Sequence, residues 1–177
     1  LALAHLRDLP ELEVVHLGAA LTPGMALSAK QLMRVDSRYR WLGNLPHWAA
    51  LRWLSRSHAL VVSSRMEGGA NVICEAAAAR VPVIASRISG NIGMLGRNYP
   101  GYYRLGDERS LARQIRRAAR DPAYYARLRR LLGVRSVLFR PSAEKDGLRR
   151  LVAELEAHSR LQSSPSRISR TGAKLRR

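Results

Sequence analysis

His58-Ala-Leu-Val-Val-Ser-Ser64 is a short, nearly continuous apolar run, the pattern of a strand buried on both faces of a parallel sheet. It is followed by the turn Gly68-Gly69-Ala70, an alanine-rich helix over 70–79 and a second apolar run, Val81-Pro-Val-Ile-Ala-Ser86. Two strands joined through a helix are parallel neighbours, because an antiparallel pair needs only a tight turn. Proline at the start of the second strand costs no ladder donor that would be needed there. The alanines of 76–79 are strong helix formers with side chains small enough to lie close against a sheet.

The same alternation runs through most of the chain. Leu12-Glu-Val-Val-His-Leu-Gly18 reads as a strand with a sharp exit at glycine. Thr22-Pro23 places a cap and a first-turn proline before a helix over 25–35. Tyr39 to Gly43 is the next strand, and Leu45-Pro46 opens a helix with Trp48, Leu51, Trp53 and Leu54 at helical spacing, which assigns the tryptophans to the core or its margin. Tyr102 to Leu105 is a last short strand. Asp107 caps a helix over 108–119, and Asp121-Pro122 opens another through Leu132. Strand and helix in alternation define an α/β protein with a doubly wound parallel sheet. Leu1 to Leu9 reads as the end of a helix with no strand before it, so the chain is expected to enter its domain with the first strand missing. The domain should occupy 1–158, its final helix over 142–158 carrying Leu148, Leu151, Val152 and Leu155 along one side. Residues 159–177, polar and basic, read as a disordered tail.

At 177 residues and 46% hydrophobic, the chain can bury one core. No apolar run is long enough to span a membrane and no signal-peptide pattern opens the chain. The single cysteine, Cys74, reads as a packing thiol and excludes an internal disulfide; the setting it suits is reducing and cytoplasmic. The five histidines show no metal-ligand spacing, so no metal is expected. A net charge of +18 attracts anionic substrates and, without specificity, nucleic acid. With only 6% aromatic residues and no interleaving of arginine and ring, specific single-strand binding is not expected.

The chemistry-bearing stretch is Glu67 to Glu75. A glycine turn opening a helix leaves backbone N–H groups of its first turn without partners, and the positive end of the helix dipole adds to their pull on an anion. The candidate phosphate cradle is Gly68, Gly69, Ala70 and Asn71. Carboxylates accept from paired hydroxyls: Glu67 lies just outside the mouth, and Glu75 shares a helix face with Asn71. Ribose, diphosphate and hexose read together would define a nucleotide-sugar. Spacing alone equally allows one surface and one solvated helix carboxylate. The glycines at 90, 93 and 96 read first as a loop around a short helical turn.

Glu-x7-Glu with its glycine turn, then an alanine-rich helix and Pro-Val, resembles the donor half of the GT-B glycosyltransferases of the family-4 type. The likeness runs from about Leu12 to Leu132 and includes Arg40-Trp41-Leu42-Gly43, Leu60 to Ser64, Gly106-Asp107 and Asp121-Pro122 in family order. Ser64 to Asn71, and Gly90 to Gly96 through Tyr99-Pro-Gly-Tyr102, further resemble the selenosugar synthases of selenoneine biosynthesis. That resemblance implies a UDP-sugar donor, UDP-GlcNAc, and selenophosphate as the small anionic acceptor, with no cofactor or metal. It also implies that Glu67 orients the hexose as the catalytic contact, that Glu75 reads the ribose, and that Gly43, Asn44 and Leu45 lie against the base. Two departures stand out. Arg80 occupies a helix exit where the family carries glycine, so the exit should be strained or displaced. The acceptor-binding N-terminal domain, with its Arg/Lys pair for the diphosphate, has no counterpart in these residues, so the isolated piece should bind donor without turnover. Another family-4 glycosyltransferase, a UDP-sugar epimerase and a basic nucleotide- or nucleic-acid-binding domain without catalysis are the competing readings.

Overall fold

The computed structural model describes residues 2–66, 68 and 70–162, except the side chains of Pro141, Glu144 and 157–162; Glu67, Gly69 and 163–177 lie outside the described residues. Five strands, β1 (Val14–His16), β2 (Tyr39–Trp41), β3 (Leu60–Val62), β4 (Val83–Ser86) and β5 (Tyr102–Tyr103), alternate with helices. The helices are α1 (Pro23–Val35), α2 (His47–Arg56), α3 (Asn71–Ala78), α4 (Ser89–Leu95), α5 (Glu108–Arg120), α6 (Pro122–Ser136) and α7 (Pro141–Gln162).

Every strand pair is parallel, as the crossover helices require. Val14 lies opposite Tyr39, Leu60 opposite Val83 and Ala85 opposite Tyr102. Hydrogen bonding groups the strands into two ladders, β1-β2 and β3-β4-β5.

The core gathers on β4, all four of whose residues are buried, beneath Ile73 and Ala76 of α3 and Leu128 and Leu132 of α6. Aliphatic burial of this kind is worth about 1.5–3 kcal/mol per large side chain. The opening segment is a 3-10 turn over Ala2–His5 rather than the end of an α-helix. It does have a surface to pack on, for Leu6 and Leu9 are buried against Ala112 of α5. Arg38 holds it there: its guanidinium donates to the carbonyls of Leu3, Leu6 and Leu9 while Asp36 orients it from 2.7 Å. From the other side Arg116 and Arg120 reach Asp8 at 2.8 and 3.0 Å.

Caps fall where local chemistry puts them. Thr22 accepts from the Met25 amide at 3.2 Å, Asp107 from Ser110 at 2.8 Å and Asp121 from Tyr124 at 2.8 Å. Trp48 departs from expectation, standing 64% exposed. Trp53 is half-buried with the Arg40 guanidinium 5.6 Å above its ring. Arg80 adopts φ +58. Its amide donates to Ala77 O and the Val81 amide to Ala76 O, which is the pairing of a Schellman helix end. The helix exit is therefore strained, by about 1 kcal/mol for a residue with a Cβ, and keeps its place.

From Leu138 the chain forms a second compact unit. Its helix α7 presents Leu148, Leu151, Val152 and Leu155 as exposed residues and carries an Arg149–Asp146 pair at 3.4 Å. It continues to Gln162, past the point where the tail was expected to begin, because nothing in Ser159-Arg-Leu-Gln162 breaks a helix.

Candidate donor site

The carboxyl ends of the strands are built to be stiff. Ser86 is fully buried and its hydroxyl donates to Ser64 O at 2.7 Å, joining the end of β4 to the segment leaving β3. The buried Asn91 amide donates to Ser86 O at 2.9 Å. Tyr99 clamps β4 from behind: its hydroxyl donates to Val83 O at 2.8 Å and accepts from Val83 N at 3.1 Å. Burial pushes that phenol well above the usual tyrosine range, and pushes Tyr102 up to about 12. Both stay neutral donors at any working pH. The Tyr102 hydroxyl reaches Gly96 O at 2.9 Å, and Arg135 caps the end of α4 through Met94 O and Gly93 O. The glycines at 93 and 96 are thus turns of a scaffold.

Above this platform the start of α3 is left open. Its N-cap is Ala70, which has no side chain able to accept an amide. Ile73 N is taken by Ala70 O at 2.8 Å. The Asn71 and Val72 amides precede the first possible intrahelical bond. A Cβ built on Gly68 meets no atom of the described residues beyond its chain neighbours within 4 Å.

Glu75 lies on the second turn of α3, half-buried, and its Oε1 is 3.0 Å from His47 Nε2. His47 opens α2, two residues beyond Leu45. The Gly43-Asn44-Leu45 turn is itself fixed at the far end of β2. Gly43 adopts φ +67, its carbonyl accepts from Gly18 N at 2.8 Å, and Trp41 Nε1 donates to Gly18 O at 2.9 Å. The structure thus connects Asn71, Glu75 and the 43–45 turn through His47. Glu67 and Gly69 lie outside the described residues. Sequence reasoning had assigned His47 no role; the proline-opened helix start two residues past the 43–45 turn was the available signal. Two surface cavities, of about 490 and 430 Å³, lie elsewhere: one against His5 and the 104–109 turn, the other between the end of α3 and α6. Among the described residues no cluster of His, Cys, Asp or Glu is arranged to hold a metal ion. Nor is any helix long and apolar enough to cross a membrane.

Parallel strands with an uncapped helix start at their carboxyl ends define an α/β protein of the ligand-binding, open-sheet type. Residues 2–121 match the family model for glycosyl transferases group 1, and the chain belongs to that family. Solved structures agree on the fold. Sucrose-phosphate synthase from Thermosynechococcus elongatus superposes with a TM-score of 0.68 at 23% identity, over 82% of this chain and 39% of that one. HepE of Anabaena in complex with UDP gives 0.67 at 18% identity, over 89% and 43%. The pneumococcal O-GlcNAc transferase GtfA in complex with UDP and GlcNAc gives 0.69 at 16%, over 86% and 31%. The chain spans less than half the length of each. No curated protein matches the sequence.

Proposed function

We propose that this domain holds the UDP-sugar donor of a glycosyl transfer, with the diphosphate at the start of α3 and the ribose against Glu75. The observation that carries the reading is the uncapped start of α3 beside a carboxylate tied by His47 to the segment that follows the 43–45 turn. HepE is described with UDP and with UDP-glucose, and GtfA with UDP and GlcNAc, on the same fold. In the transfer the bond from the anomeric carbon to the diphosphate breaks, UDP leaves with its electron pair, and the acceptor nucleophile takes the carbon. Charge therefore builds on the departing phosphate oxygens. The Asn71 and Val72 amides and the α3 dipole are fixed in advance where that charge develops, which lowers the barrier; the reading invokes no metal. Glu67 would orient the hexose hydroxyls.

Glu75 provides the test. With one oxygen on His47, the other is free to accept from the ribose diol. Titrating the chain with UDP by calorimetry, we expect Glu75→Ala to weaken binding by about 1–3 kcal/mol, the cost of losing a hydrogen bond to a charged group. Equal affinity in the variant removes the ribose role. At the acceptor level we propose selenophosphate, with UDP-GlcNAc as donor and a 1-selenosugar as product. The support is the two sequence phrases, Ser64 to Asn71 and Gly90 to Tyr102. In a reaction that includes an acceptor-binding domain, a selenium-bearing sugar should be detected by mass spectrometry. Transfer to oxygen acceptors with none to selenophosphate would overturn that assignment.

A further inference from the structure

The far end of α3 carries a second cluster that donor binding does not use. A cavity of about 430 Å³ opens between it and α6, lined by Arg80, Arg129 and Arg130 over a floor of Ala77, Ala126 and Gly133. Ala126, Arg130 and Gly133 fall on one face of α6 by their spacing, and Arg129 stands beside them. The floor is made of the smallest side chains, and a Cβ on Gly133 would meet nothing within 4 Å. Ser136, which also lines the opening, donates its hydroxyl to Gly133 O at 2.6 Å.

The charges at this cavity are not balanced. Some arginines of the domain sit on carboxylates: Arg38 on Asp36, Arg40 on Glu13, Arg116 and Arg120 on Asp8, and Arg117 on Asp121. Neither Arg80, Arg129 nor Arg130 forms an ion pair with a described residue. Three guanidiniums crowded around one opening repel each other, and an anion seated among them converts that repulsion into attraction. The end of a helix ordinarily disfavours an anion because its last carbonyls face outward. Here the carbonyls of Glu75, Ala76 and Ala77 are already taken, by the amides of Ala79, Val81 and Arg80. The backbone conformation at Arg80, φ +58, is one that glycine adopts freely. An arginine kept there brings the third guanidinium to the opening.

We propose that this cavity is an anion site for a phosphate group on a small molecule, separate from the donor cradle at the other end of α3. Guanidinium forks match phosphate oxygens in pairs, and a ligand of charge −2 to −3 balances the cluster. The small-residue floor leaves room for a sugar attached to the phosphate.

The experiment is a calorimetric titration of the whole chain with inorganic pyrophosphate at fixed ionic strength, in the presence of saturating UDP. Binding should persist beside UDP, and weaken at least tenfold in Arg129→Gln/Arg130→Gln and in Arg80→Gly. The glycine variant should also melt higher than the parent without ligand, which shows it is folded. A parallel titration with glucose 1-phosphate separates the sources: tighter binding than pyrophosphate assigns a sugar phosphate, and equal or weaker binding assigns the inorganic ion. Displacement of pyrophosphate by UDP, or unchanged affinity in both sets of variants, overturns the proposal. So does a single-stranded oligonucleotide that binds the cluster when neither phosphate ligand does.

Discussion

Two glycines face opposite surroundings. A Cβ on Gly101 would come within 2.5 Å of Val83 O, 2.6 Å of Tyr99 Cε1 and 3.1 Å of a Leu128 methyl. A Cβ on Gly68 would meet nothing within 4 Å. Around Gly101 the polar groups are spent on one another: Tyr99 on β4, Tyr124 on Pro100 O and Gln114, and Gln114 on Tyr102 O. Near Gly68, the N-cap residue of α3 is Ala70, which offers no capping side chain. The closed wall identifies Gly101 as a packing glycine; Gly68 carries no packing constraint of that kind.

Alanine at both positions breaks or sharpens that contrast. Gly101→Ala forces backbone and ring apart in a filled core, and overpacking of this kind costs about 1–3 kcal/mol or more; a large drop in Tm is expected. Gly68→Ala should leave stability within about 0.5 kcal/mol of the parent, as for surface changes away from special features. Its UDP affinity should fall instead, because the added carbon stands where a diphosphate would approach the backbone. Were Gly68→Ala to bind UDP as the parent does, the open space would not be ligand space.

How much of this was legible beforehand depends on distance along the chain. The caps at Thr22, Asp107 and Asp121 were readable because donor and acceptor are three residues apart. Asn71 and Glu75 on one face followed from helix geometry alone. The Tyr99–Gly101 wall could not be read, since its partners are on β4 and α6. His47 escaped for the same reason, being 28 positions from Glu75 and brought to it only by the packing of α2 on α3. The parallel α/β architecture was legible because alternation of strand and helix predicts parallel neighbours, though not which strands are hydrogen-bonded to each other. Trp48 failed because helical spacing identifies a face without saying that anything covers it.

A smaller effect should come from giving the open mouth the cap that the other helices have. Ala70 is 6% exposed and one oxygen larger is nearly isosteric, so Ala70→Ser can be accommodated. The hydroxyl would accept from the Val72 amide and add up to about 1 kcal/mol of stability. UDP affinity should fall as stability rises, since the cap consumes a donor meant for phosphate. A rise in both would mean that these amides do not face the ligand.

The smallest effect belongs to the clasp on the opening segment, far from the mouth. Hydrogen bonding from Arg116 lowers the Asp8 carboxyl to about 2 from an ordinary value of 3.8. A carboxyl depressed on folding contributes stability that is complete above its unfolded value and disappears as pH falls through its folded one. The window is therefore about pH 4 down to about 2. Asp36 and Asp121 are also depressed, by Arg38 and by the Tyr124 amide respectively, and titrate in the acid range too. The informative quantity is consequently the difference between the parent and Asp8→Asn in thermal melts from pH 5 to pH 2. The parent should be the more stable at pH 5, the gap should close across that window, and added salt should narrow it, because the pair is exposed. A gap that stays constant with pH would show that Asp8 acts through its shape and not its charge, leaving Arg38 as the anchor of that segment.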